Sequence, residues 1–109
     1  MTPLYAVTVM DIRNIRRGTS SIPDTRCVGI FLDFETAEEH VLNNYADVSD
    51  GGTNEYAVIE EVYPGQFYPL CEAKQWYIYD PEPSKDDEPL YFRTEAPEWA
   101  KGICNWGIG

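Results

Sequence analysis

One segment of this chain repeats its apolar residues at helical spacing, and strand-like segments lie on both sides of it. In DFETAEEHVLNN, Phe34, Ala37 and Val41 recur every three or four residues. Asp33, which precedes them, is a suitable N-cap because its carboxylate can accept a backbone N–H of the first turn. The pattern predicts a helix over about 34–44, and the strand-like segments supply the sheet on which this helix packs.

The flanking segments are rich in β-forming side chains and alternate between two faces. They are YAVTVMDI at 5–12, CVGIFL at 27–32, EYAVIEEV at 55–62, a segment centred on 76–79, LYFRT at 90–94, and GICNWGIG at 102–109. A loop without a crossover helix joins the first two, which favours antiparallel neighbours. A short helical turn is expected near 97–101. We therefore predict an α+β fold, mainly an antiparallel sheet with the main helix packed on one face.

The whole chain, residues 1–109, is expected to form a single domain. A hydrophobic content of 43% with fifteen aromatic residues suffices for one core at this length. The opening MTPLYAVTVMD lacks the long apolar run of a signal peptide or a membrane span. We therefore expect a cytoplasmic protein.

The charge of the chain is unevenly distributed. Its formal net charge is -11, yet RNIRRGTSSIPDTR, residues 13–26, holds four of the eight basic side chains and only one acid. That segment carries +3 while the remainder carries -14. Most of such a surface repels phosphates, which argues against ordinary DNA or RNA binding. Two functions remain open: capture of a small anion at the basic segment, or imitation of nucleic acid towards a basic protein.

Catalytic and metal-binding patterns are weak. Cys27, Cys71, Cys104 and His40 are spaced by 13, 31 and 33 residues, which matches no compact zinc site, and we expect buried, reduced thiols and a helix-surface histidine. A nucleophile would need a base, and His40 is the single imidazole. No glycine-rich loop has the strand–loop–helix context of a phosphate cradle. We predict neither an enzyme nor a bound metal or cofactor.

The basic segment is the strongest candidate for a ligand site. Arg13 and Arg26 lie near the two ends of a connection between neighbouring strands, so they should approach each other, with Arg16 and Arg17 between them. Guanidinium groups bind phosphate bidentately and stay charged. The alternative is that these arginines pair with the protein's own nineteen acids or solubilise a loop.

Aromatic side chains form a second candidate element. They lie on the strands of the predicted hairpin and around it: Trp76, Tyr77, Tyr79, Tyr91, Phe92, Trp99 and Trp106. A short chain needs large side chains to fill its interior, so most of these belong to the core. One or two facing the arginines would allow a nucleobase to stack beside its bound phosphates.

The order of several segments resembles a group of small proteins carried by phages and gut bacteria. These segments are RCVGIF, FETAEEHVLNN, a short aspartate-bearing turn, YAVIEEVYPG, an aromatic segment and a terminal NWGIG. They cover most of the chain, from about residue 5 onwards. Within this group the chain is similar to the Thoeris anti-defence sponges, phage proteins that oligomerise and sequester cyclic nucleotide signals such as cyclic ADP-ribose isomers.

The resemblance implies a non-enzymatic, phage-type protein that holds a cyclic nucleotide in the cytosol of a bacterial host and that can form a homo-oligomer. In the family, arginine binds the phosphate and an aromatic ring stacks on the base. The resemblance implies that Arg26 binds the phosphate here, with help from Arg13, Arg16 and Arg17. Asn105 and Trp106 become candidates for base or ribose contacts. The long arginine segment and the proline-bracketed stretch at 81–89 depart from the family's pattern.

A second hypothesis assigns the protein to another functional class. An acidic protein of this size can act like an anti-CRISPR, its carboxylates blocking a basic nucleic-acid-binding surface of a bacterial defence effector. A third reading is an accessory protein without a ligand that stabilises a larger assembly through its aromatic hairpin.

Overall fold

The computed structural model describes residues 2–63, 71–80 and 91–100, and within them five strands form one antiparallel sheet in the order β2-β1-β3-β4-β5. The strands are β1 (Leu4–Asp11), β2 (Asp24–Phe31), β3 (Tyr56–Val62), β4 (Cys71–Tyr79) and β5 (Tyr91–Thr94). The helices are α1 (Arg13–Arg16) and α2 (Phe34–Leu42), with single 3-10 turns at Tyr45–Asp47 and Glu98–Ala100. The α+β class and the antiparallel β1–β2 pair are confirmed. The strand predicted at 102–109 lies outside the described residues.

Strand β1 is an interior strand of the sheet, with β2 on one side and β3 on the other. Its alternating side chains are buried on both faces of the sheet: Val7 and Val9 on the face that carries α2, and Ala6 and Met10 on the opposite face. Such two-sided burial explains why this stretch contains almost no charged residue.

Helix α2 begins and ends where local chemistry requires. The Asp33 carboxylate accepts the backbone N–H of Thr36 at 2.7 Å, which satisfies a first-turn donor. Ala37 and Val41 are fully buried against the sheet. The helix stops at Leu42, two residues before the predicted end, because the chain turns into left-handed backbone (φ 51°) at Asn44.

Two hydrophobic clusters lie on the two faces of the sheet. The buried residues beneath α2 are Val7, Val9, Ala37, Val41, Val48, Ala57, Ile59, Tyr77 and Tyr91. Those on the opposite face are Met10, Ile12, Val58, Trp76 and Ala100, with Ile15 and Trp99 packed against them. Helix α1 and the second 3-10 turn therefore cover the face that α2 leaves open.

The prediction that the basic segment is entirely a loop is wrong at its start, where α1 forms. Asp11 accepts the backbone N–H of Arg13 at 3.0 Å, and Ile15 packs on the second cluster. Four residues are too few for a helical repeat to show in the sequence. Strand β2 also begins at Asp24, three residues earlier than predicted.

Strand β2 contains a β-bulge that decides which of its side chains share a face. Arg26 lies opposite Val9 and Phe31 opposite Tyr5, both on the α2 face, although five positions separate them. In a regular strand an odd separation puts two side chains on opposite faces. The register shift between Val7 and Thr8 leaves one residue of β2, Val28, without a partner on β1, and this restores both side chains to one face.

Candidate functional site

Of the four predicted arginines, only Arg26 lines the cleft that the described residues form. Arg13 forms hydrogen bonds with both oxygens of Asp11, at 3.0 and 2.6 Å, and these bonds are the largest cause that lowers the pKa of Asp11. Arg16 pairs with Glu55. Arg17 is exposed and makes no ion pair with any other described residue.

The other predicted site residues, including the aromatic hairpin, do not line a common site among the described residues. Asn105 and Trp106 lie outside the described residues. In the predicted aromatic hairpin, Tyr77 and Tyr91 are fully buried in the core beneath α2. Trp76 packs edge-on against Trp99 on the opposite face of the sheet, with ring centroids 5.9 Å apart. These aromatics are core residues.

Arg26 instead lines a cleft of about 150 Å³ between β2, α2 and the 3-10 turn that follows α2. The lining residues are Val7, Arg26, Val28, Phe31, His40, Tyr45, Ala46, Asp47 and Val48. Two buried valines, Val7 and Val48, form its apolar floor. The cleft therefore combines an apolar base with a small number of polar groups, as small-molecule sites do.

The Arg26 guanidinium is accessible to a ligand. Its side chain is 65% exposed, and among the described residues it has one ion pair, with a carboxylate oxygen of Asp50 3.8 Å away. Such a long pair between two exposed side chains contributes little to stability. An anion in the cleft can therefore take the guanidinium with little competition.

Three rings form one wall of the cleft. The rings of Phe31 and His40 lie 4.6 Å apart, and Tyr45 meets His40 edge-on at 5.2 Å. The carbonyl oxygen of Thr36 lies 3.0 Å from Nδ1 of His40, so this nitrogen donates, and in the neutral ring Nε2 carries the acceptor lone pair. His40, predicted at the helix surface, is thus half-buried within an aromatic group.

Tyr45 belongs to a segment of strained backbone. Asn44, Ala46, Asp47 and Asp50 all have φ between 50° and 56°, the left-handed region that costs energy for residues other than glycine. Side chains hold the segment: Asn44 Oδ1 accepts the backbone N–H of Ser49 at 2.8 Å, and Asp47 Oδ1 accepts that of Gly51 at 3.2 Å. The wall that carries Tyr45 is therefore fixed from within.

This arrangement is suited to binding. One accessible guanidinium faces an anion, three rings offer surfaces for a planar group, and the floor is apolar. Among the described residues, no three His, Cys, Asp or Glu side chains are grouped so as to hold a metal ion. Cys27 is a half-buried free thiol on β2.

Comparisons of the chain with protein-family models, with curated proteins and with solved structures found no match. None of the helices in the described ranges has the length and apolar character that crossing a bilayer requires.

Phe31, His40 and Tyr45 were not predicted as site residues from the sequence. Strict alternation from Arg26 puts Phe31 on the other face, and only the bulge at Val28 corrects this. The available signal was that Phe31 ends a strand directly before a helix that carries the single histidine.

Proposed function

We propose that this protein binds a small phosphate-bearing ligand in the Arg26 cleft and holds it without chemical change. The observation that carries the proposal is one accessible guanidinium beside three aromatic rings above an apolar floor. Following the family resemblance, the expected ligand is a cyclic nucleotide signal, the protein a phage-type sponge, and its location the cytosol of a bacterial host.

The size of the cleft refines this proposal. Sites that enclose a drug-sized ligand measure roughly 300–1,000 Å³, and this cleft measures about 150 Å³. One part of a cyclic nucleotide, a base or a phosphate, fits between Arg26 and the rings while the remainder stays outside. Affinity should therefore depend on Arg26 more than on the size of the ligand.

The test is calorimetric titration with cyclic dinucleotides, cyclic ADP-ribose isomers and linear mononucleotides. The variant Arg26→Ala removes the cleft cation, and Arg17→Ala is the matched control because it deletes the same charge at an exposed arginine outside the cleft. A charge-assisted hydrogen bond contributes roughly 1.5–3 kcal/mol, so Arg26→Ala should weaken binding at least tenfold and Arg17→Ala should leave it near the wild-type value. Chromatography of the released ligand should return it intact.

Three outcomes contradict the proposal. If no heat is measured for any compound of the panel at high protein concentration, the protein binds none of the proposed ligands. Equal losses in Arg17→Ala and Arg26→Ala indicate long-range charge rather than contact in the cleft. If the ligand is recovered cleaved after incubation, the protein acts as an enzyme and does not simply hold the ligand.

A second candidate function is nucleic-acid mimicry towards a basic defence effector. Its support is that Arg13 and Arg16 are each held against one of the protein's own acids and do not form a joint basic patch with Arg26. The chain as a whole carries -11. Pull-down with candidate nucleases at low and high salt tests this function, because mimicry predicts binding that disappears as salt rises. Binding that is independent of salt contradicts it.

A further inference from the structure

The cleft holds a carboxylate as well as a guanidinium. Asp47 lines it together with Arg26, and Asp47 makes no ion pair with any other described residue. Its Oδ1 accepts the backbone N–H of Gly51 at 3.2 Å and the hydroxyl of Ser49 at 3.3 Å. Within the described part of the chain no hydrogen bond reaches Oδ2. One oxygen of this carboxylate is thus held by the protein, and the other is an acceptor for a ligand.

The backbone that carries this carboxylate is held in a costly conformation. Ala46 and Asp47 are consecutive residues with φ of 56° and 54°, left-handed values that cost energy in a residue with a Cβ. Strain of this kind is concentrated at ligand sites, where the surrounding structure maintains it. An ordinary surface turn avoids the strain by using glycine. The conformation therefore supports a role for Asp47 in the cleft.

The two opposite charges favour one part of a nucleotide over another. A phosphate in the cleft gains Arg26 but also meets the carboxylate of Asp47, with that of Asp50 lying 3.8 Å from the guanidinium. Like charges repel at such short range. A nucleobase carries no net charge and has hydrogen-bond acceptors on one edge and donors on another. The base therefore suits the cleft better than the phosphate does.

Guanine matches both polar groups at once. Its O6 and N7 atoms accept two hydrogen bonds from one guanidinium, the commonest specific contact of arginine with a base. Its N1–H and N2 amino groups donate side by side on the neighbouring edge, where a carboxylate accepts both. In the same orientation adenine places an amino donor towards the arginine and a lone pair towards the carboxylate. The rings of Phe31, His40 and Tyr45 offer stacking surfaces for the base.

We propose that the Arg26 cleft selects guanine, with Arg26 on its O6 and N7 edge and Asp47 on its N1 and N2 edge. The phosphates of the nucleotide then lie outside the cleft. This inference rests on the proposed function, since it names the base by which the bound nucleotide is anchored.

The first experiment is calorimetric titration of the full chain with 5′-GMP, 5′-IMP and 5′-AMP, which varies the base and keeps the phosphate constant. IMP lacks only the N2 amino group of GMP. It should bind about tenfold more weakly, because one charge-assisted hydrogen bond is lost. AMP should bind more weakly still. If only cyclic compounds bind measurably, cyclic di-GMP, cyclic di-IMP and cyclic di-AMP give the same comparison.

The second experiment changes the protein. Asp47→Asn retains an oxygen for the Gly51 N–H and replaces the other carboxylate oxygen by an amide donor. It should abolish the preference for GMP over IMP and favour 5′-XMP, whose C2 carbonyl accepts a hydrogen bond where GMP has its amino donor. Asp50→Asn is the matched control, because it deletes the same charge near Arg26 at a residue that does not line the cleft. It should leave the ratio of GMP to IMP affinity unchanged.

Both variants should fold, because asparagine is well tolerated at positive φ, which Asp47 and Asp50 share. Circular dichroism checks this. Equal affinity for GMP, IMP and AMP overturns the guanine assignment and leaves the proposed function standing. An Asp47→Asn variant that keeps the wild-type preference also overturns it, as does an equal loss of preference in Asp50→Asn. If no mononucleotide and no cyclic nucleotide binds, the proposed function is rejected and the guanine assignment with it.

Discussion

Replacing Tyr77 by phenylalanine should destabilise the fold by about 2 kcal/mol at neutral pH. The Tyr77 side chain is fully buried, and its hydroxyl donates a hydrogen bond of 2.6 Å to Oε2 of Glu38. The same carboxylate accepts two hydrogen bonds from Arg93, which join α2 to β5. The substitution leaves those two in place, so its cost is that of a single hydrogen bond to a charged group, roughly 1.5–3 kcal/mol.

The cost should shrink in acid. Hydrogen bonds from Arg93 are the largest cause that lowers the pKa of Glu38; burial opposes them and the Tyr77 hydroxyl adds to them. A carboxyl whose pKa is lower in the folded state stabilises the fold above its unfolded-state pKa, and that contribution is lost as the pH falls through the folded-state pKa. Protonated Glu38 offers a neutral acceptor, worth about 1 kcal/mol. The effect of Tyr77→Phe should therefore fall by about half.

Urea unfolding of wild type and variant at neutral and acid pH measures both values. At neutral pH the melting temperature should also drop by about 8 °C. Tyr91→Phe is the matched control, because Tyr91 is equally buried and donates at 2.6 Å to the backbone carbonyl of Asn54, which does not titrate. The reasoning is refuted if Tyr77→Phe lowers the free energy of unfolding by less than about 0.5 kcal/mol at neutral pH. It is also refuted if the effect of Tyr77→Phe, like that of the control Tyr91→Phe, is the same at both pH values.

Two further predictions concern the ends and turns of the fold. Asp33→Ala removes the acceptor for the Thr36 N–H, so it should lower the urea midpoint at neutral pH and reduce the helical circular dichroism signal; an unchanged midpoint contradicts the N-cap role. Gly52→Ala should cost about 2 kcal/mol against about 1 kcal/mol for Gly51→Ala, because both have positive φ but only at Gly52 does a Cβ meet the Tyr79 ring, at 3.3 Å. Equal melting temperatures for the two glycine variants would show that the Tyr79 ring contact adds nothing to the cost of Gly52→Ala.

The fold was predictable because its signals are local and repeat along the chain. Alternation placed Val7 and Val9 on one face of β1 and Met10 on the other, and both faces are buried as that pattern requires. Asp33 marked the start of α2 because a cap acts within one turn. The extent of β2 was underestimated, since Asp24, Thr25 and Arg26 are polar and exposed and an edge strand gives such residues no burial to reveal them.

The cleft was not predictable in the same way. Its lining residues come from four separate elements, β1, β2, α2 and the 3-10 turn after α2. Its main cation was grouped in the sequence with three arginines that do not line the cleft. Arg13 and Arg16 find carboxylates at Asp11 and Glu55, and the second of these pairs joins residues thirty-nine positions apart. Charge counts along a segment cannot anticipate such partners.

The bulge at Val28 has a consequence for how this protein can be compared with others. Because it brings Arg26 and Phe31 together by adding length, the cleft depends on the number of residues between them as much as on their identities. A related chain that lacked one residue in this strand would align with a single gap, keep almost every matching residue and lose the shared face. A true counterpart is therefore better identified by an odd interval between its arginine and its ring, in a strand that carries an insertion, than by percentage identity.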